Sequence, residues 1–244
     1  MPEASSAYFN FNNNILSQIS PEQIEIMQPY LHRVTLVASQ VLYEDKGTID
    51  AVYFLEEGLA VLTANTGDGG TVQVGMLGSE GFAGTGAMFD GEFVSTQRGV
   101  MQIGGSAYRL GRAQFQQALA DSLPLRELCL RHLQALMMQI SQTAACNAAH
   151  TLPQRLTRLL LMTHDRVGAD ELRLTQGDLA SMLGVRRAGV STVVGELQGE
   201  GLIQQARGRV SIVNRPGLEA RSCRCYDILK AGNHYVRHGK QLVE

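Results

Sequence analysis

The hydrophobic pattern of the first half of the chain predicts a sheet-rich unit. Between Arg33 and about Leu110, short β-branched and apolar runs are separated by glycine turns, as is typical of antiparallel strands. The apolar and polar positions of the run from Thr71 to Leu77 alternate, which indicates a strand with one buried face. The close, even spacing of the runs favours a small sandwich or barrel. The predicted strands are Val52–Leu55, Leu59–Thr66, Thr71–Leu77, Val94–Ile103 and Ala107–Leu110, with Gly67-Asp68-Gly69-Gly70 as a hairpin turn.

A long helix is predicted next, from about Leu125 to Ala149, because apolar side chains recur there at three- and four-residue steps. Such a stripe must be covered, and periodicity leaves two coverings open: the preceding β unit, or a coiled-coil-like seam with a second copy of the chain. Pro153 predicts a helix boundary shortly before it, which we interpret as an interdomain hinge between about Asn147 and Pro153. The candidate dimerisation residues on the stripe are Leu133, Leu136, Met137, Ile140 and Ala144.

The segment from about Thr175 to Val213 predicts a winged helix-turn-helix, supported by an amphipathic helix over Gln154–Val167. Thr175 is a capping residue with an acid three positions later, which opens one short helix. That helix stops at Gly184, and a second helix with valines at helical spacing follows and ends near Gly201. Two apolar runs then predict a hairpin, whose tip is Arg207-Gly208-Arg209.

Charge divides the chain at the predicted hinge. Residues 1–150 carry 7 Lys and Arg against 14 Asp and Glu, a balance of −7, whereas residues 151–244 carry 14 against 9, a balance of +5. The second half is therefore the candidate for an anionic partner.

Basic and small polar side chains near the second predicted helix are the candidates for DNA contact. A single arginine at a helix start is usually a solvated surface charge. Here helix, glycine turn, second helix and basic hairpin follow one another in a positively charged half, which favours DNA binding. Arg187 is the best candidate for a base contact, and the basic hairpin tip suits backbone phosphates. The full candidate set is Thr175, Gln176, Arg186, Arg187, Gly189, Ser191, Thr192, Arg207 and Arg209.

Other classes of function find little support. No phosphate-binding loop, nucleophile elbow or zinc-protease motif occurs, so we expect no enzyme. The four cysteines form no C-x-x-C pair, and we expect no metal; the Cys223-Arg224-Cys225 pair suggests packing more than redox sensing or metal binding. No apolar run approaches the roughly 20 residues of a membrane span, and the start of the chain does not resemble a signal peptide, so a cytoplasmic protein without membrane contact is expected.

The string LTQGDLASMLGVRRAGVSTVVGELQGEGLI, followed by RGRVSIV, resembles the DNA-binding domain of the CRP/FNR family of bacterial regulators. Upstream, FLEEGLAVL and VGMLGSEGFAGTGAMF resemble that family's cyclic-nucleotide-binding-like β-roll. The resemblance implies an α+β fold: a jelly-roll-like antiparallel β-roll over residues 1–123, a dimerisation helix and hinge over 124–150, and a winged helix-turn-helix over 151–244. It also implies a homodimer on a roughly palindromic site of double-stranded DNA, with RNA polymerase as a partner and a signal acting in the β-roll.

Departures from the family pattern limit what can be carried over. Members that bind cyclic AMP usually show Gly-Glu and later Arg-Ser or Arg-Thr, whereas this chain has Gly84-Thr85 and Gln97-Arg98-Gly99. Gly84, Thr85 and Arg98 are retained as tentative ligand positions, but cyclic AMP is not expected, no cofactor is expected and the effector stays open. The first cysteine is Cys129, which argues against the iron-sulfur branch with its N-terminal cysteines. A winged-helix module that binds a protein partner instead of DNA is the alternative function.

Overall fold

The structure is a computed structural model that describes residues 10–67, 69–89, 91 and 94–238, with backbone alone for 233–238. Asp68 of the predicted hairpin turn, the first nine residues and the last six therefore lie outside the described residues. No helix in the described part of the chain is both long and apolar enough to cross a membrane.

The N-terminal unit is a roll of two four-stranded antiparallel sheets, preceded by the short helix α1 (Pro21–Met27). One sheet has the strand order β1-β8-β3-β6 and the other β2-β7-β4-β5. Phe54, Phe82 and Phe115 contact one another in the core between them. The strands are β1 (His32–Leu36), β2 (Val41–Tyr43), β3 (Ala51–Leu55), β4 (Leu59–Asn65), β5 (Thr71–Leu77), β6 (Phe82–Ala83), β7 (Arg98–Ile103) and β8 (Gly105–Gly111).

All five predicted strands are confirmed, although one of them starts later than predicted, and three further strands were not predicted. The strand predicted from Val94 begins at Arg98, because Val94 forms only an isolated bridge with Thr48. Strands β1, β2 and β6 were not predicted. Two of them have only two or three residues, too few for alternation to be recognised, and the third exposes most of its side chains.

Two helices connect the roll to the C-terminal unit: α2 (Arg112–Asp121), which was not predicted, and α3 (Leu123–Ala149). The side chain of Gln139 attaches α3 to β5, since its Nε2 donates to the carbonyl of Met76 at 3.0 Å and its Oε1 accepts from the Met76 amide at 2.6 Å. Helix α3 ends where His150 and Thr151 adopt extended backbone, and Thr151 caps the next helix. The predicted boundary before Pro153 is therefore confirmed.

The C-terminal unit has the order of a winged helix-turn-helix extended by two further helices. A small sheet of order β10-β11-β9 lies beside the helices. Its elements are α4 (Leu152–Val167), β9 (Glu171–Leu172), α5 (Gln176–Leu183), α6 (Arg187–Gly199), β10 (Ile203–Ala206), β11 (Arg209–Ile212), α7 (Arg215–Arg221) and α8 (Cys225–His238). The α+β architecture predicted from the sequence is confirmed.

The two units share a hydrophobic core. Leu59, Val61 and Met76 of the β-roll belong to the same buried cluster as Leu159 and Met182 of the C-terminal unit. We name this cluster the shared core. The C-terminal unit thus packs directly on the outer face of one β-roll sheet.

A buried ion pair lies across the same boundary. Arg166 Nε of α4 donates to Glu80 Oε1, in the loop after β5, at 2.6 Å, and the two side chains are 2% and 4% exposed. Glu80 Oε2 also accepts from the amide of Gly78 at 2.9 Å, and Arg166 Nη1 donates to the carbonyl of Met162 at 3.0 Å. Both charges are therefore compensated by hydrogen bonds as well as by each other.

Candidate nucleic-acid interface

The first helix of the pair, α5, begins at a reciprocal cap. Thr175 Oγ1 accepts from the Asp178 amide at 3.0 Å, and Asp178 Oδ2 accepts from the Thr175 amide at 2.7 Å. These bonds satisfy backbone donors that would otherwise lack partners at the start of the helix. The predicted capping role of Thr175 is confirmed. Gln176, the first helical residue, donates through Nε2 to Gln205 Oε1 at 2.7 Å and so links the cap to strand β10.

A glycine turn joins α5 to α6. Gly184 ends α5 with φ +63, a left-handed conformation that glycine adopts without steric cost. Its amide bonds the carbonyl of Ser181, and the next amide, of Val185, bonds the carbonyl of Ala180 at 3.0 Å. Arg155 Nη2 of α4 also donates to the carbonyl of Leu183, at 2.6 Å. The direction of α6 is therefore fixed by the turn and by α4.

The second helix, α6, buries one face and exposes the other. Val190, Val193 and Leu197 lie in the core, as the valine spacing predicts. The opposite face and the helix start carry exposed donors and acceptors, which can reach phosphates or the edges of bases in the major groove. Four of the candidate DNA-contacting residues form the exposed set at this helix: Arg186, Arg187, Ser191 and Thr192.

Gly189 does not belong to that exposed set. A Cβ atom at Gly189 would lie 3.1 Å from Leu152 Cδ2, so the residue faces α4. The missing side chain allows α6 and α4 to approach closely, and this packing explains the glycine. Its place among the DNA-contacting candidates stays a prediction, which the backbone of Gly189 and not a side chain would have to fulfil.

The wing carries two arginines in different environments. Arg207 is exposed at the turn between β10 and β11. Arg209 Nη1 lies 3.2 Å from Glu171 Oε2, and about half of each side chain is exposed. A DNA phosphate would therefore compete with Glu171 for Arg209, whereas Arg207 forms no ion pair with any residue that the structure describes. Sequence reasoning did not identify Glu171 as part of this surface, because the contact is made between strands that are 38 positions apart in the chain.

The tentative ligand positions are separated by the fold. A cavity of about 210 Å³ lies between the β-roll and α3, and Thr85 lines it together with Tyr43 and Gln97. Arg98 instead pairs with Glu44, Nε to Oε2 at 2.9 Å, on the surface. Gly84 has φ +97, and a Cβ there would lie 2.8 Å from the carbonyl oxygen of Ala51, so backbone geometry accounts for this glycine.

The cavity does not fit a cyclic nucleotide phosphate. None of the described residues that line it is charged. A buried phosphate needs charge-assisted donors such as an arginine fork. Burial also raises the pKa of the Tyr43 hydroxyl, which therefore stays neutral. The lining suits an uncharged or weakly polar molecule.

The stripe on α3 is divided between two surfaces. Leu136 is buried against the β-roll by its own chain, and Ile140 packs on the same core but is only partly buried. Leu133 is half-buried, whereas Met137 and Ala144 are exposed. An apolar groove of about 580 Å³ runs along this exposed side, lined by Leu130, Leu133, Gln134, Met137, Met138, Ser141, Gln142 and Ile228. Of the five predicted seam residues, Leu136 is therefore the one that its own chain buries, and Leu133, Met137, Ile140 and Ala144 stay predictions.

Comparisons with known proteins agree with both units. Residues 33–122 match the family described as the cyclic nucleotide-binding domain, and residues 154–221 match the Crp-like helix-turn-helix domain. Together the two matched segments span more than half of the chain. The transcriptional regulator SdrP of Thermus thermophilus is 25% identical over 179 residues, which are 71% of this chain and 84% of SdrP.

Solved structures of this architecture are similar in fold. FixK2 from Bradyrhizobium japonicum aligns with a TM-score of 0.67 at 14% identity, over 79% of this chain and 98% of that one. The c-di-GMP responsive global regulator CLP of Xanthomonas campestris aligns with a TM-score of 0.65 at 18% identity, over 79% of this chain and 99% of that one.

Proposed function

Because the chain belongs to the CRP/FNR family of transcriptional regulators, with a helix-turn-helix DNA-binding domain, we propose that it acts as a homodimer on a roughly palindromic site in double-stranded DNA. The observation that carries the proposal is the division of α6 into a buried valine face and an exposed face with Arg186 and Arg187 at its start. Such a helix can enter the major groove while the wing contacts flanking phosphates.

The dimer is proposed from the exposed side of α3. Met137 is 62% exposed, Leu130 51% and Met138 39%, which is unusual for large apolar side chains on one helix. A parallel pairing of two α3 helices would cover them and would place the two copies of α6 about one turn of B-DNA apart, roughly 34 Å. The two half-sites should then have that spacing.

A signal in the β-roll is part of the proposal. The cavity beside Thr85 contacts both the β-roll and Leu133, Leu136 and Ile140 of α3, so a molecule bound there would touch the helix that we assign to the dimer. Because the described lining is uncharged, we propose a ligand without a phosphate. RNA polymerase is the expected protein partner of the DNA-bound dimer, and the cytoplasm is the expected location.

The test is selection of bound duplexes from a random DNA pool by the purified full-length protein. Recovery of an inverted repeat with half-sites about one helical turn apart is the expected result. The selection is repeated with cyclic AMP and with cyclic di-GMP, neither of which should change the enriched sequence or its yield. Light scattering on the free protein measures the mass and should give a dimer.

A matched pair of variants assigns any binding to the correct surface. Arg187→Ala removes a charge from the start of α6, and Arg33→Ala removes the same charge from an exposed position of β1 in the β-roll. Only the first should weaken binding of the selected duplex. If no duplex is enriched and both variants behave like the parent protein, the protein-interaction module becomes the better account.

A further inference from the structure

Four potential metal ligands from distant parts of the chain meet beside the C-terminal end of α3. They are Cys146, His150, Cys223 and Cys225, and their ligand atoms all lie within 4.8 Å of one another. The three cysteines are buried, at 0%, 5% and 3% exposure, and form a cluster of their own. No ligand set of this kind was recognised in the sequence, because 77 positions separate Cys146 from Cys223.

We propose that these four side chains bind a single Zn²⁺ ion. Three thiolates and one imidazole form one of the common ligand sets of structural zinc sites. In tetrahedral zinc, with Zn–S of about 2.3 Å and Zn–N of about 2.0–2.1 Å, neighbouring ligand atoms lie roughly 3.5–3.8 Å apart. Cys146 Sγ lies 3.6 Å from Cys223 Sγ, and Cys225 Sγ lies 3.6 Å from His150 Nδ1. Two of the ligand–ligand distances therefore already match those of tetrahedral zinc. The longest distance between two ligand atoms, which is up to 4.8 Å, needs to shorten by about 1 Å.

The local structure explains how the ligands converge. Cys146 lies in the last turn of α3, and the amide of His150, the residue just after the helix, donates to the Cys146 carbonyl at 3.0 Å, so the two residues lie next to each other. Cys223 follows α7, and Cys225 is the first residue of α8. Gln142, one turn before Cys146, donates through Nε2 to Cys225 Sγ at 3.0 Å, as outer-shell groups do for metal-bound thiolates.

Two arginines lie beside the cluster. Arg155 and Arg158 of α4 lie close enough to interact electrostatically with Cys146. The Nε atom of each arginine is buried and has no hydrogen-bond partner among the described residues. Each arginine also forms a hydrogen bond through its outer nitrogens, Arg155 to the Leu183 carbonyl and Arg158 to the Thr143 hydroxyl. Three thiolates and a neutral imidazole on Zn²⁺ would carry a net negative charge, which the two guanidinium groups would balance.

The geometry argues against two alternatives. A disulfide needs sulfur atoms about 2.05 Å apart, and the cysteines of the described chain are all free. A four-iron cluster binds each ligand to a different iron atom and therefore separates the ligands more widely than a single ion does. The compact arrangement fits one ion.

The proposed site connects the helix of the dimer to the far end of the DNA-binding unit. The 77-position segment that it closes contains α4, the helix-turn-helix and the wing. Bound zinc would hold α8 against α3 and so fix how the DNA-binding unit is oriented on α3. The ion acts here as a structural link, and metal binding does not depend on whether the proposed DNA site exists.

The test measures metal in the full-length protein purified without chelators. We expect about one Zn²⁺ per chain by elemental analysis, with little iron and no acid-labile sulfide. Removal of the ion by a chelator should lower Tm, and added Zn²⁺ should restore it. Replacement by Co²⁺ should give the visible and near-ultraviolet absorption of a tetrahedral, thiolate-rich site.

The fourth cysteine supplies a matched control. Cys129 is buried in the β-roll core, away from the cluster, so Cys129→Ala should keep the full metal content. Cys223→Ser and Cys225→Ser should each lose most of it. Cys223→His restores a ligand and should bind Co²⁺ with a weaker thiolate band. X-ray absorption on the parent protein, with sulfur at about 2.3 Å and nitrogen at about 2.0–2.1 Å, tests the site even if a variant does not fold.

Three results would overturn the proposal. The first is a parent protein that contains no metal and takes up neither Zn²⁺ nor Co²⁺. The second is full metal content in Cys223→Ser and Cys225→Ser. The third is iron with acid-labile sulfide, or a Cys146–Cys223 disulfide in the freshly purified protein, since either would replace the single-ion site.

Discussion

Removing one partner of the buried ion pair between Arg166 and Glu80 should destabilise the protein more than breaking an exposed ion pair among the described residues. Arg166→Met keeps roughly the length of the side chain but leaves the Glu80 carboxylate buried, and among the described residues the Gly78 amide is then its one remaining hydrogen-bond donor. Breaking a buried pair by removing one partner typically costs 3–5 kcal/mol, because the remaining charge keeps its desolvation cost, and we expect a loss of about 3–4 kcal/mol here. The control is Arg98→Met, which breaks the exposed pair with Glu44 and should cost less than about 1 kcal/mol.

The assay is urea unfolding at one fixed protein concentration, because the stability of the proposed dimer would depend on concentration. Arg166→Met, Glu80→Gln and the double variant form a thermodynamic cycle. The double variant should be less destabilised than the sum of the two single variants by about 1–3 kcal/mol, since it leaves no charge unpaired. Additive losses would refute the reasoning, because they would mean that the two side chains do not interact.

Three further predictions concern DNA contacts and pH. Arg187→Ala should lose about 1–3 kcal/mol of the free energy of binding to the selected duplex, and the variant should discriminate less between DNA sequences when they are titrated in turn. An equal loss of affinity for every sequence would contradict a base contact. Arg209→Ala should weaken binding to all DNA sequences alike and should reduce by about 1 the slope of log affinity against log salt concentration. Glu171→Gln releases Arg209 and should strengthen binding to all sequences. If Glu171→Gln leaves binding unchanged, the Arg209–Glu171 pair does not compete with phosphate. Burial lowers the pKa of His132, so below its usual value of 6.5 the unfolded chain binds a proton that the folded chain does not. The free energy of unfolding should therefore be greatest above pH 6.5 and should fall as the pH drops below it. Denaturation curves of His132→Gln should show a smaller fall. If both proteins lose the same stability over this pH range, His132 is not the cause.

Periodicity predicted the elements of this fold but not the partners of their apolar faces. Met137 and Leu136 are neighbours on the same stripe of α3, yet one is exposed and the other is buried in the β-roll. A repeat of three and four residues defines an apolar side of a helix, and which surface covers each part of it depends on tertiary packing. The sequence therefore could not separate seam residues from core residues.

The candidate site divides in a similar way. Thr175 and Gly184 were predictable, because a cap and a left-handed turn have local sequence signals. The contact of Gly189 with α4 was not predictable, since the same small residue suits a DNA surface and a close helix contact. The pairing of Arg209 with Glu171 and the meeting of Cys146 with Cys223 join distant positions, which no local pattern reports.

The shared core has a consequence for the heat capacity of DNA binding. Leu59, Val61 and Met76 are covered by the C-terminal unit, so turning that unit away from the β-roll would expose them to water. Exposure of apolar surface raises the heat capacity, whereas formation of a DNA interface that buries apolar surface lowers it. Calorimetry at several temperatures would therefore distinguish two modes of binding: a rigid protein should give a clearly negative heat-capacity change, and a protein that opens its shared core should give a smaller one.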